Sequence, residues 1–560
     1  MDIHGVDRLA SRSCLSPVSL SMSEIPAHRF YYLENFERAI AWLETRYAGL
    51  LSDEEQAFVR TFATLPLAAR AVLVRLIMRR GSLFRVSKVQ YEEIGDLDEA
   101  LNPLCELGWV DCDPRLTITQ LCSLVTKRMV AAHFGIPLSW SKALLRAHLE
   151  AQYLEPKLAS EWSIFGTHGV LEVKIAALCT HLQLLFFGNW HQDWKEFVLS
   201  DLGIFKYEPV LTQGVARAFE SRAHIDAFYA LCEARQALED GASCEVVRSL
   251  LPQHAIDHEW LEERRAKLQF ALARREERTG DFALAFDIYA QCDYPGARAR
   301  AVRVLERQGR REEARCAAIR YASGDVVESE RELLERALRR LSPNPNHRIA
   351  RRRKLDNIEL RFHSWQCVEE SAAQSLRSPD APVLYVENLL VNGLFGLWCW
   401  DVIFAPIRGA FFHPFQRGPA DLWSPTFTER RHALIREAFQ RLERGEHAPH
   451  MVTMFRAKQG THNPFVFWGG LTEELIDLAL KCIPASHLRC MFERMLADLE
   501  QNCTGLPDLV QFYPQEQRYR FIEVKGPGDR LQDHQRRWMN YFAEHRIPAM
   551  VCNVSRAQAA

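Results

Sequence analysis

Two short runs near the C-terminus, Asp508–Tyr513 and Tyr519–Lys525, are rich in β-branched and aromatic residues and flank Pro514-Gln515-Glu516-Gln517-Arg518. Such runs around a turn-forming stretch predict a β-hairpin. Alternation along a strand puts Glu523 and Lys525 on one face and Ile522 and Val524 on the other. Asp508 enters the partner strand beside Pro507, whose φ is fixed, and its carboxylate faces Glu523 if the register allows.

Two carboxylates and one ammonium then converge. Hard oxygen ligands of this kind hold Mg²⁺ or Mn²⁺ with waters left on the ion, an arrangement that activates water and neutralises a phosphodiester transition state. Lys525 is placed to orient or polarise that water. The competing reading is a surface hairpin with a chance Asp/Glu/Lys set.

A second candidate carboxylate lies upstream. Val383–Phe404 is long and mostly apolar but contains Glu387, Asn388, Asn392 and Asp401. Those residues are costly in lipid, so the stretch predicts a buried helix rather than a membrane span. An unpaired Glu387 is expensive to bury there, and metal coordination would offset the cost. A buried glutamate satisfied by Asn392 or an arginine is the alternative.

The full string Gly505-Leu506-Pro507-Asp508-Leu509, Glu523-Val524-Lys525-Gly526-Pro527-Gly528-Asp529-Arg530-Leu531 and Gln535-x-x-Trp538 resembles the PD-(D/E)xK nuclease superfamily. Within it, the string is similar to the VRR-NUC domain of the Fanconi-associated nuclease family. The resemblance extends to Glu387 followed by Phe395-Gly396-Leu397 and Trp400-Asp401-Val402-Ile403-Phe404, although the residues just after Glu387 depart from the Gly-Ser-Thr-Phe of animal members. It implies a structure-specific DNA nuclease, a 5′-flap endonuclease and 5′-to-3′ exonuclease acting in interstrand-crosslink repair. Asp508, Glu523, Glu387 and the Val524 carbonyl would hold one or two divalent ions, Lys525 would assist the attacking water, and Gln535 would face the metal. Trp538 is expected in the core. The alternatives are a Holliday-junction resolvase-like endonuclease and a non-catalytic DNA-binding repair scaffold.

At 560 residues the chain predicts roughly three or four domains. A net charge of -2 excludes a globally basic DNA-coating protein, so any nucleic-acid surface is a local patch. Fifteen cysteines without a C-x-x-C pair predict free, mostly buried thiols in a reducing compartment. His447-x-x-His450 lacks neighbouring cysteines and reads as a loop rather than a zinc site. No Cys/His set matches the ubiquitin-binding zinc finger of animal relatives, which favours a compact bacterial-type member. The expected partner is branched DNA, a 5′ flap or a crosslinked duplex, bound by a monomer with no membrane association. Such a protein is expected in the cytoplasm if bacterial and in the nucleus if eukaryotic.

The expected fold is α plus α/β: helical N-terminal, SAP-like and TPR-like modules ahead of a C-terminal nuclease domain whose mixed sheet is flanked by helices. Residues 1–80 form a helical domain behind a serine-rich leader. Residues 81–150 read as a winged-helix and SAP-like region. Helices over Thr119–Phe134 and Ser141–Leu149 there carry Lys127, Arg128, Lys142 and Arg146 as phosphate contacts or as a solvated face. Residues 151–345 form a helical solenoid, with Gly280-Asp281-Phe282-x-x-Ala285-x-x-x-Tyr289 and Gly309-x-x-x-Glu313-Ala314 spaced like imperfect tetratricopeptide repeats. Residues 346–381 connect it to the nuclease domain, 382–560. That connection carries Arg351, Arg352, Arg353 and Lys354, a basic run suited to a DNA backbone. By resemblance Arg430 and Arg431 open a helix and bind DNA phosphates near the scissile site, and Arg530 and Arg536, around a helix capped by Asp529 or Asp533, face the DNA backbone.

Overall fold

The computed structural model describes residues 29–166, 169–189, 191–201, 203–210, 217–342 and 355–557. The serine-rich leader, Pro343–Asn346 and the basic run Arg351–Lys354 lie outside the described residues. The described residues divide into two compact units: those within 1–41, 59–177 and 194–204 form one, and those within 42–58, 178–193 and 205–560 the other.

The first unit combines helices with a small antiparallel sheet. Strands β1 (Leu83–Arg85), β2 (Val110–Asp111) and β5 (Val170–Val173) run in the order β1-β5-β2, while β3 (Arg115–Leu116) pairs with β4 (Lys157–Leu158). The Leu97–Glu106 helix starts at Asp96, whose carboxylate accepts from the Asp98 and Glu99 amides. The single helix expected over Thr119–Phe134 is instead two, Ile118–Leu124 and Lys127–Phe134. Thr126 adopts an extended backbone and caps the second one through the Met129 amide, and that breaks the run. Ser141 caps Lys142–Gln152 in the same way.

In the second unit, helices Glu259–Thr279, Phe282–Ala290, Ala297–Arg307, Arg311–Ala322 and Glu328–Leu341 pack each on the next. Small buried residues, Ala285, Ala301, Ala314 and Ala318, permit the close approach expected of a solenoid.

The nuclease sheet has the order β6-β10-β9-β8-β7, with β6 (Asp356–Phe362), β7 (Val383–Tyr385), β8 (Leu509–Tyr513), β9 (Arg518–Lys525) and β10 (Ala549–Arg556). β10 runs parallel to both β6 and β9, whereas β8 is antiparallel to β9 and β7. The hairpin forms as its sequence predicts. Its register pairs Leu509 with Ile522 and Tyr513 with Arg518, so the next position brings Asp508 opposite Glu523. Val510, Phe512, Tyr519 and Phe521 face a large helical core; Leu509, Ile522 and Val524 face a second one closed by the Val368–Leu376 helix. With both faces covered, the sheet is a rigid platform.

Val383–Phe404 does not form the one buried helix expected of it. β7 ends at Tyr385, Glu387 and Asn388 make a turn, and helices Leu390–Trp398 and Trp400–Ile403 follow. Asn388 takes a left-handed φ of 51°, a conformation asparagine tolerates better than most side chains and one that ends an extended run.

Candidate active site

The site lies where β8 begins and β9 ends. Asp508 is buried, and its Oδ2 accepts a hydrogen bond from the Val524 amide at 2.8 Å. The Val386 amide donates to the Asp508 carbonyl at 2.8 Å, and the Leu506 amide donates to Asn388 Oδ1 at 3.2 Å. These two bonds pin the Glu387–Asn388 turn to the Gly-Leu-Pro-Asp loop. Glu387 therefore reaches the hairpin from an exposed turn, not from a buried helix, and its carboxylate accepts from the Tyr385 hydroxyl.

Glu523 is fully buried. Lys525 Nζ approaches its Oε1 to 2.7 Å, as expected for two residues on one strand face. That contact is an ion pair, and among the described residues nothing else serves the Glu523 carboxylate oxygens. Burial pushes the Glu523 carboxyl up to about 8; repulsion from Asp508 adds to the rise and Lys525 opposes it. Burial likewise lifts Asp508 to about 6, against the Val524 amide, which favours the carboxylate. Two buried carboxylates raised this far, one with unsatisfied oxygens, form a site short of positive charge. Among the described residues no three His, Cys, Asp or Glu side chains are gathered closely enough to make a ready cage. The oxygen-only donor set of Asp508, Glu523 and Glu387 nevertheless fits a hard divalent cation.

The Asp533–Glu544 helix ends against this loop. Gly505 has φ +85°, and a Cβ there would lie 2.5 Å from His534 Cδ2 and 2.7 Å from the His534 carbonyl carbon. Only glycine permits that approach. The helix cap is Gln532, not Asp529 or Asp533: the Gln535 Oε1 accepts from the Gln532 amide at 3.0 Å. The Gln535 side-chain carbonyl is thereby spent on the helix start. Asp533, the first helical residue, accepts from Arg336 of the solenoid at 2.8 Å and from Arg536 at 3.2 Å. Trp538 is core, donating to the Asn502 carbonyl.

The arginine doublet divides. Arg431 is fully buried, donates to both Asp421 oxygens at 2.8 and 3.0 Å and to the Val402 carbonyl, and has no surface to offer a phosphate. Its expected DNA contact is thus replaced by a structural one. Arg430 also binds Asp421 but keeps part of its surface. Arg530 is exposed, while Arg536 is half-buried and donates to the Leu531 carbonyl. In the other unit Lys142 and Arg128 are exposed and Lys127 donates to the Leu138 carbonyl. The His447/His450 pair sits on the His447–Ala457 helix, not in a loop.

Three residues near the site carry no sequence signal. Tyr385 binds Glu387. Glu369, in the first turn of Val368–Leu376, adds to the negative field at Asp508. His534, packed on Gly505, is lowered by burial and then by Arg537.

A mixed sheet with an Asp just ahead of one strand and Glu-x-Lys on its neighbour defines a nuclease of the VRR-NUC class, and the VRR-NUC domain family model matches residues 443–556. The model for the FAN1 HTH domain matches residues 30–111, across the boundary expected at 80. The Fanconi-associated nuclease 1 homolog of Pseudomonas aeruginosa is 44% identical over 549 residues, 96% of this chain and 98% of that protein. The Arabidopsis thaliana homolog is 23% identical over 95% of this chain and 68% of its own length. The crystal structure of paFAN1 bound to 2nt 5′ flap DNA with a gap superimposes with a TM-score of 0.92 at 43% identity, covering 96% of this chain and all of that one. A second structure of paFAN1, bound to 1nt 5′ flap DNA with a gap, gives a TM-score of 0.91 at 44% identity and covers 95% of this chain. The chain belongs to the Fanconi-associated nuclease family. It is a structure-specific DNA nuclease, a hydrolase whose family depends on divalent metal. No helix among the described residues is long and apolar enough to cross a membrane.

Proposed function

We propose that this protein is a 5′-flap endonuclease and 5′-to-3′ exonuclease working with Mg²⁺ or Mn²⁺ in interstrand-crosslink repair. The observation that carries the reading is the opposition of Asp508 to Glu523 on a buried hairpin, in a chain 44% identical to a Pseudomonas aeruginosa relative. The paFAN1 structures bound to 5′ flap DNA support the choice of substrate.

Asp508, Glu523, Glu387 and the Val524 carbonyl would hold the cation. When bound, such a cation neutralises the scissile phosphodiester and lowers the pKa of water. The Val524 amide fixes the Asp508 carboxylate, and Lys525 orients the attacking water and offsets charge developing on the phosphate. Water attacks phosphorus in line and the 3′ oxygen leaves. Gln535 acts through the helix start that it caps. Exposed Arg530 and Lys142, with Arg430, Arg536, Lys127 and the run Arg351–Lys354, supply the basic contacts to the DNA backbone.

The test is to map products on end-labelled 5′ flaps of several lengths beside a four-way junction, with Mg²⁺ and with Mn²⁺. Incision near the flap base and stepwise 5′-to-3′ products support the proposal. Symmetric junction cleavage with intact flaps overturns it in favour of a resolvase.

A further inference from the structure

The first unit contains two thiols placed for reaction with each other. Cys105 is the penultimate residue of the Leu97–Glu106 helix, and Cys112 directly follows β2. Their Sγ atoms are 2.7 Å apart, inside van der Waals contact. The frame that holds them is ordered: Gly108, with φ +69°, lets its amide donate to the Cys105 carbonyl and the Trp109 amide donate to the Leu104 carbonyl. Leu104 and Val110 are buried on either side of the turn. Helix end and strand are thus fixed by backbone bonds and core packing, with both sulfurs carried on the outside. Cys112 is exposed and Cys105 half-buried.

We infer that Cys105 and Cys112 are a modification site, a vicinal dithiol that closes to an intramolecular disulfide on exchange with a low-molecular-weight disulfide such as oxidised glutathione. An S–S bond of about 2.05 Å requires the sulfurs to approach by well under 1 Å, with little movement of their frame. Exposed Cys112 reacts first. It loses its proton, its thiolate attacks one sulfur of the small disulfide, that S–S bond breaks, and the departing thiolate takes up a proton. Cys105 then loses its proton and attacks the Cys112 sulfur of the mixed disulfide, releasing the second small thiol. Two protein thiols are oxidised and one disulfide is reduced to two thiols. Partial burial and the neighbouring Cys105, with Asp111 and Asp98 nearby, push the Cys112 thiol up, so the exchange quickens as pH rises and is run on the alkaline side, at about pH 9.

The test uses the full chain, incubated with oxidised glutathione, quenched in acid, alkylated and digested for mass spectrometry. The expected result is a Cys105–Cys112 cross-linked peptide lighter than the dithiol by two hydrogens, loss of alkylation at both of these cysteines, and full reversal by dithiothreitol. Cys316 and Cys367, exposed elsewhere, serve as controls that yield mixed disulfides or stay alkylated. In Cys105→Ser the mixed disulfide is trapped on Cys112, whereas in Cys112→Ser the cross-link is lost. A stable glutathione adduct on Cys112 of the unmodified sequence, or full alkylation of both thiols after treatment, overturns the inference; neither result depends on a variant folding.

Discussion

The Asp508 carboxylate is fastened to the neighbouring strand by the Val524 amide, 2.8 Å from its Oδ2. One bond thus ties the Pro-Asp motif to the middle residue of Glu-x-Lys, and it holds the carboxylate on the sheet before any cation arrives. The charge left in the site has measurable consequences.

Asp508 and Glu523 titrate in the folded protein at about 6 and about 8, above the values of about 4 that such groups have in an unfolded chain. The folded state therefore binds protons more tightly across that interval. Its stabilising contribution is complete below about pH 4 and is lost as pH rises through 6 and then 8. Thermal melts of metal-free protein should show Glu523→Gln raising Tm by about 3 °C or more at pH 8 and by under about 1 °C at pH 4. Divalent cation should narrow the difference at pH 8 by stabilising the unsubstituted protein.

Arg431 and Asp421 form a buried pair, so removing Arg431 leaves Asp421 with only its part-exposed partner Arg430. Arg431→Met should cost about 3 kcal/mol or more in denaturant unfolding, because the buried Val402 carbonyl loses its donor and the Asp421 carboxylate loses two of its three arginine bonds. Arg430→Met, at a partly exposed position, should cost about 1 kcal/mol or less. If the two variants unfold alike, the distinction drawn within the doublet is wrong.

Gly505 permits the contact between the Pro-Asp loop and the Asp533–Glu544 helix. Gly505→Ala adds both a left-handed strain and a clash with backbone atoms of His534 and Gln535. Its expected cost is about 2–4 kcal/mol in unfolding free energy. Nuclease activity at a temperature where the variant is folded should fall further than flap affinity, because the clash displaces the helix start beside the site.

The hairpin was readable because its signals are local: alternation, a proline-led turn and a carboxylate at each required position. Residue 387 is readable as an acid that approaches the hairpin but not as part of a turn. An apolar run of more than twenty residues favours a helix, and what breaks it here is tertiary, the Asn388 side chain accepting from Leu506 far along the chain. Arg431 shows the same limit, since nothing in a pair of adjacent arginines says which one the core will claim. Asp421 pairs with both, and what sets Arg431 apart is its further bond to the buried Val402 carbonyl. The helix cap was misplaced for a smaller reason: Gln532 is an unusual capping residue, and the neighbouring aspartates are commoner ones. Asp533 instead serves an ion pair with Arg336.

The central claim is that Asp508 and Glu523 serve the chemistry and not the grip on DNA. The most direct measurement compares single-turnover cleavage with equilibrium binding of one 5′-flap substrate, for the unsubstituted chain, Asp508→Asn and Glu523→Gln. The account predicts a loss of cleavage of about a thousand-fold or more in both variants, with affinity, measured in Ca²⁺ to withhold turnover, changed by less than about threefold. Cleavage that survives either substitution in folded protein would contradict it.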